Sequence, residues 1–293
     1  MKLIEPQAEL ITESDPFKKI ELVGRTCYKS QDRIKEGSDK KFFNMLMKNK
    51  HWAMFEHAVF IFKINTSVLF NDLKQEKFIN TTENEVRRLV SGNLRAWLEL
   101  DDPFINYAIM DRYPEMVTGR SCISNNSVEW FDGTLFIDEI PKHSYTTIKF
   151  TCDRGVSHEL VRHRLFSFAQ ESTRYCNYSK SKNSTTAEMI KPSIKFITPK
   201  SYNEWDVNTQ TKYAECLQTC ENCYMELTEL GLKPEEARGV LPNALATEIV
   251  VTGNDEEWQH FFDLRLRETT GKAHPDMKKL ALLASLQYPS TAE

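Results

Sequence analysis

Between Asp153 and Tyr178 the sequence reads DRGVSHELVRHRLFSFAQESTRYCNY, a stretch unusually rich in groups that could do chemistry. Arg162, Arg164 and Arg174, His158 and His163, Glu159 and Glu171, and the hydroxyls of Ser167, Ser172 and Thr173 lie among Leu160, Val161, Leu165, Phe166 and Phe168. That mixture suits neither a solvated face nor a plain core. Ser157 is placed to cap a helix carrying Leu160, Val161, Leu165 and Phe168 on one face, with Arg164 on the same side. A guanidinium withdrawn from water needs an anion opposite it, either a carboxylate of the protein or a bound phosphate. Arginine's planar fork grips two phosphate oxygens at once, so a phosphate-bearing ligand is the sharper reading and a structural salt-bridge cluster the plainer one.

Arg162-His163-Arg164, seven residues, then Ser172, with Arg174 and Tyr175 following, resembles the RHR-x7-S signature of flavin-dependent thymidylate synthases. Further similarity lies in separated segments. Arg25 to Ser30 is similar to a segment lining the flavin pocket, with Cys27 where serine is common. His51 to His57 (HWAMFEH) resembles H-x-T-P-F-E-H, with Ala53 and Met54 in place of Thr-Pro. Glu235 to Pro242 resembles an E-x-A-R-x-V-L-P segment, and Gly253 to Trp258 resembles G-N-x-R-x-W, with Glu256 in place of arginine.

The resemblance implies reductive methylation of deoxyuridine monophosphate (dUMP) to dTMP. Methylenetetrahydrofolate would give the carbon, FAD the hydride, and NADPH would reduce the flavin. It implies that Glu159, Arg162, Gln170, Glu171, Ser172, Thr173, Arg174, Arg238 and Arg265 face dUMP. It implies that Cys27, Ala53, Glu56, Arg162, His163, Arg164, Gln170, Asn254, Glu256 and His260 face FAD, in sites shared between the chains of a homotetramer. Arg265 would stabilise charge developing on the uracil ring. Ser172 would place the nucleotide, since no evident base activates it as a nucleophile, and His51 would shape the folate side.

Positioning these residues calls for an α+β fold, a mixed sheet flanked by helices in a single domain over 1–293. Helices are expected from Pro16 to about Gly24, from Asp39 to Lys50, and from about Glu204 to Gly231. Val59 to Ile64 alternates as a strand, and after an inserted subdomain at about 65–144 that strand is expected to resume in the same sheet at Tyr145 to Phe150. Within the insertion, Glu85 to Leu100 reads as a helix and Val128 to Ile137 as a hairpin turning at Asp132-Gly133. Lys180 to Thr186 is polar and reads as a mobile loop. Val90-Ser91-Gly92-Asn93 with Trp97 repeats the spacing of Val251-Thr252-Gly253-Asn254 with Trp258; both read as Asn-capped helix starts, and Arg95 is a candidate for the cation that Glu256 does not supply.

Composition narrows the alternatives. A net charge of -4 without a basic block argues against non-specific nucleic-acid binding. No stretch is long and apolar enough for a membrane span, and MKLIEPQAELI lacks a signal peptide's apolar run, so the expected place is the cytoplasm. There, seven unevenly spaced cysteines fit reduced thiols. Cys216-x3-Cys220-x2-Cys223 has the spacing of a radical iron-sulfur motif but falls on a helical stripe with Tyr213, Tyr224 and Leu227, which reads as a core face. No G-x-G-x-x-G or phosphate loop is present, so arginines must hold any phosphate. The alternative to an enzyme is a non-catalytic nucleotide- or RNA-binding protein using the arginine cluster with Phe166, Phe168 and Tyr175.

Overall fold

Asp15 accepts the Lys18 N–H at 3.0 Å and opens α1 (Pro16–Cys27), which runs past the expected stop at Gly24. The computed structural model describes residues 1–179 and 193–289, so the polar stretch 180–186 lies outside the described residues. α2 (Ser38–Lys48) buries Phe42, Phe43 and Leu46, and a 3-10 turn over Trp52–His57 leads into β3 (Val59–Ile64). β1 (Lys2–Ile4) pairs in parallel with β9 (Lys195–Ile197) at the side of the molecule.

The central sheet is antiparallel, in the order β2 (Gln7–Leu10), β7 (Tyr145–Asp153), β10 (Ala246–Asn254), β8 (Ser167–Gln170). β7 and β10 pair along their whole length, from Ala246 opposite Asp153 to Asn254 opposite Tyr145. Both are covered on two faces, which is why Ile249, Val250 and Val251 are apolar in succession. One face packs Ile148, Phe150, Ile249 and Val251 against Trp258 and Phe261 of α10 (Asp255–Arg265) and Met277 and Leu280 of α11 (Pro275–Gln287). The other sets Ala169 and Val250 against Val23 and Cys27 of α1.

β3 does not resume in this sheet, contrary to expectation. It lies in a second antiparallel sheet, in the order β4 (Ile79–Glu83), β5 (Arg88–Asn93), β3, β6 (Val128–Trp130). Phe60, Phe62 and Ile64 point into an aromatic core with Trp97, Trp130 and Tyr113, most of it supplied by residues 65–144. Those residues also form α3 (Ser67–Leu73), α4 (Leu94–Leu100), α5 (Pro103–Arg112) and α6 (Ile140–His143).

Three further expectations are corrected. Glu85 to Leu100 is not one helix: Val86 is exposed, and Leu89, Val90 and Ser91 are buried in succession because β5 is a central strand, a run that helical spacing cannot distinguish. The hairpin at Val128 to Ile137 does not form. Only β6 is a strand, and Asp132 is drawn aside by Arg112, whose Nη1 donates to its Oδ1 at 2.8 Å. Ser157 does not cap the helix before the arginine triplet. Asp153 does, one turn earlier, accepting from Val156 N at 2.8 Å, and α7 (Arg154–Leu160) ends before Arg164.

The stripe expected on the next helix faces the core only through its Tyr213, Tyr224 and Leu227, not through its cysteines. On α8 (Val207–Glu229) the buried side chains are Leu217, Glu221 and Tyr224, while Cys216 and Cys223 are exposed. The buried side keeps Tyr224, with Tyr213 and Leu227 packed beside it, and extends toward Leu217 and Glu221 instead of the cysteines. Glu221 anchors the helix there, taking the Met1 ammonium at 2.5 Å and the Ile194 N–H at 2.6 Å. Gly231, at φ +95°, ends this segment as expected, and α9 (Pro234–Ala237) starts with its proline.

Candidate active site

The arginine triplet sits on the short connection between α7 and β8, held from behind by a ring cluster. Phe166 packs at 4.7 Å from Trp258 and 6.2 Å from Phe261 between ring centroids. A Cβ on Gly253 would lie 2.2 Å from that ring, so glycine is required for the approach. The loop therefore stands against α10, and together they enclose a cleft of about 760 Å³ lined by Arg162, His163, Arg164, Glu256, His260 and Arg265.

His163 is the buried member of the triplet, and Arg265 Nε donates to its Nε2 at 3.0 Å. Burial, reinforced by Arg265 and then His260, pushes this imidazole down to about 4, so it is neutral near pH 7 and fit to accept that hydrogen bond. Glu159 steadies the same guanidinium from 3.5 Å. Arg162 and Arg164 are exposed to the cleft, and neither has a carboxylate partner among the described residues. The sequence argument that Arg164 is withdrawn from water is thus corrected: the cation faces an open, nucleotide-sized cavity instead.

A second group forms at the other end of β8, four residues of extended chain, or about 13 Å, away. Ser172 N donates to Cys27 O at 2.9 Å, and Arg238 Nη1 donates to Thr173 Oγ1 at 3.0 Å. Arg174 pairs with Glu235 at 2.9 Å. The buried Glu171 carboxylate takes Lys29 at 2.7 Å and the Tyr178 hydroxyl. Gln170 reaches Ser157 Oγ at 2.8 Å, linking β8 to α7. His51 Nδ1 lies 3.1 Å from Tyr28 OH, whose ring is 5.8 Å from that of Tyr175, so His51 belongs with this group. Burial pushes the Cys27 thiol up to about 12, leaving it a packing group rather than a nucleophile.

The remaining expected residues lie near the second sheet. Asn254 caps α10 by accepting from Glu257 N at 3.0 Å, Glu56 pairs with Arg95 at 2.8 Å, and Ala53 is exposed on the turn before β3. Sequence reasoning overlooked the partners that fix these groups, namely Lys29, Tyr28 and Glu235. Lys29 carried a usable signal, since it lies in the same Arg25 to Ser30 segment as Cys27, though its left-handed φ of 47° is visible only in the structure.

The chain matches the model of a family described as thymidylate synthase complementing protein over residues 9–87 and 138–286. The unmatched stretch between them, 88–137, holds β5, α4, α5 and β6. A flavin-dependent thymidylate synthase of Geobacter sulfurreducens is 32% identical over 52% of this chain and 62% of its own length. One from Pyrococcus furiosus is 33% identical over 45% of this chain and 50% of its own. The aligned part thus spans half to three-fifths of these relatives. A solved structure, the UMP/dUMP methylase PolB of Streptomyces cacaoi bound with 5-Br dUMP, aligns over 98% of this chain and 90% of its own with 15% identity and a TM-score of 0.42, a likeness too weak to bear on function. The family match covers most of the described residues, including the arginine triplet and Arg265, and the chain belongs to the thymidylate synthase complementing protein family.

Proposed function

We propose that the protein converts dUMP to dTMP, taking the carbon from methylenetetrahydrofolate and the hydride from FAD that NADPH has reduced. The observation that carries this reading is the cleft in which Arg162, His163, Arg164, His260 and Arg265 converge in a chain of this family. Arg162 and Arg164 suit phosphate-bearing ligands, because both guanidiniums face the cleft with no carboxylate partner among the described residues, although Asp255, Glu256, Glu257 and Asp263 also line it.

Flavin, when bound, supplies hydride chemistry that no side chain offers. The chain's part is to bind, orient and polarise. Arg162 and Arg164 would hold phosphate oxygens. Arg265, fixed through Nε by neutral His163 and through Nη1 by Glu159, would turn Nη2 to the pyrimidine and stabilise negative charge developing on the ring. Ser172, Thr173, Arg174 and Arg238 would seat the nucleotide, and His51 would border the folate side. Ser172 acts as a positioning hydroxyl, since no base contacts it among the described residues.

The reading is tested by the absorption spectrum of the purified protein with FAD, before and after dUMP, followed by a methyl-transfer assay with folate and NADPH. A flavin spectrum that shifts with dUMP, and dTMP formation dependent on both, are expected. Protein that takes up no FAD would refute the reading and favour a non-catalytic nucleotide binder.

A further inference from the structure

The inserted segment repeats the architecture of the C-terminal unit. β5 ends in Ser91-Gly92-Asn93 and Asn93 caps α4, while β10 ends in Thr252-Gly253-Asn254 and Asn254 caps α10. Asn93 lies opposite Val59, two residues after His57, and Asn254 lies opposite Tyr145, two residues after His143. Leu94 N donates to Ala58 O at 2.7 Å, and Asp255 N donates to Ser144 O at 2.9 Å. Trp97 and Trp258, each at the fourth position after its cap, are fully buried. The units also exchange contacts: His57 Nδ1 lies 2.8 Å from Thr252 Oγ1, and His143 Nδ1 lies 2.8 Å from Ser91 Oγ. Reciprocal contacts between equivalent positions are what a two-fold axis generates, so the chain contains a pseudo-two-fold of its own.

Under that axis Arg95 answers to Glu256 and Glu99 to His260, the pair that lines the large cleft. Arg95 and Glu99 line a smaller groove of about 250 Å³ with Glu56, Arg164 and Ser167. The two grooves share Arg164 and Leu165, so the arginine loop stands between them. Arg95 is not a free cation awaiting a phosphate. Its Nη1 donates to Glu56 at 2.8 Å and its Nε to Glu99 at 2.7 Å, one turn along α4.

We propose that Arg95, supplied by the inserted unit, is a positioning residue of the flavin site: clamped by Glu99, it holds the Glu56 carboxylate toward the ligand and keeps it from folding onto Arg164. This rests on the flavin reading above. Arg95 lies in the stretch that the family model leaves unmatched, so the residue comes to the site from outside the part of the chain that the family model covers.

The test is an FAD titration of the full chain, followed by flavin fluorescence, for wild type, Arg95→Ala, Arg95→Lys, Glu56→Gln and the double variant Arg95→Ala/Glu56→Gln. Arg95→Ala is expected to weaken FAD binding about tenfold and Arg95→Lys to recover part of the loss, while the double variant binds no more weakly than Glu56→Gln alone. Arg88→Ala, which breaks the exposed 2.7 Å pair with Glu83 in the same sheet, should leave affinity unchanged. If Arg95→Ala unfolds, Arg95→Gln, which keeps the stem, reads the same loss. Wild-type affinity in the folded Arg95 variants, or additive losses in the double variant, would overturn the inference alone. A wild-type chain that binds no FAD would overturn the flavin reading and this inference with it.

Discussion

Arg265 and His163 work as a pair because each settles the other's state. A neutral imidazole accepts from the guanidinium Nε, and the guanidinium, beside it, helps keep the imidazole neutral. Lysine cannot reproduce this geometry, since its ammonium is a point donor that cannot reach His163 and a pyrimidine carbonyl along fixed directions. Arg265→Lys is therefore expected to lower kcat/KM about a hundredfold or more at an unchanged thermal midpoint, checked by steady-state kinetics and thermal melting. At this scale the residue types were legible in the sequence, but the motif that joins the triplet to Ser172 does not show that β8 sets them at its opposite ends. What holds each residue was not legible. Glu171 satisfies its charge with Lys29, whose place in the chain is remote from it, and Arg174 does so with Glu235, in a separate segment.

The elements are locked together by buried polar contacts between the two sheets. Burial pushes the His57 imidazole down to about 3 and that of His143 down to about 4, so both are neutral in the fold. Their folded pKa values lie below the ordinary value of about 6.5, so as pH falls the unfolded chain takes up protons first. The stability they contribute is complete above about pH 6.5 and is lost as pH falls toward 4. Urea midpoints should decline over that window, and a flat profile would mean that the imidazoles are solvated. Thr252→Val, which leaves both His57 Nδ1 and the Thr147 hydroxyl without their 2.8 Å partner, should cost about 1–3 kcal/mol in the same measurement at neutral pH. The Asn caps and the strand at 145 were legible because their signals are local. The sheet to which β3 belongs was not, since alternation specifies a buried face and says nothing of which strands lie alongside.

For the whole molecule, the expected substrate and cofactor residues divide between the two ends of β8. Arg265 stands with the triplet at one end, and Arg174 with Arg238 at the other. Such a division suits sites completed by a neighbouring chain, as the resemblance implies for a homotetramer. Mixing Arg174→Ala with Arg265→Ala should then restore part of the activity after subunit exchange, and a mixture as inactive as its components would place each site within one chain.

β3 also has a consequence for the integrity of the chain. Both of its neighbours, β5 and β6, come from the segment between Asn65 and Ser144, and among the described residues no strand of the central sheet pairs with it. Cutting that segment out to mimic a compact relative would leave Val59–Ile64 with two bare rows of amide and carbonyl groups beside exposed Phe60 and Phe62. An unpaired apolar edge of this kind templates aggregation. The segment is therefore not a removable ornament: whatever it adds to ligand binding, it keeps one strand of the molecule soluble.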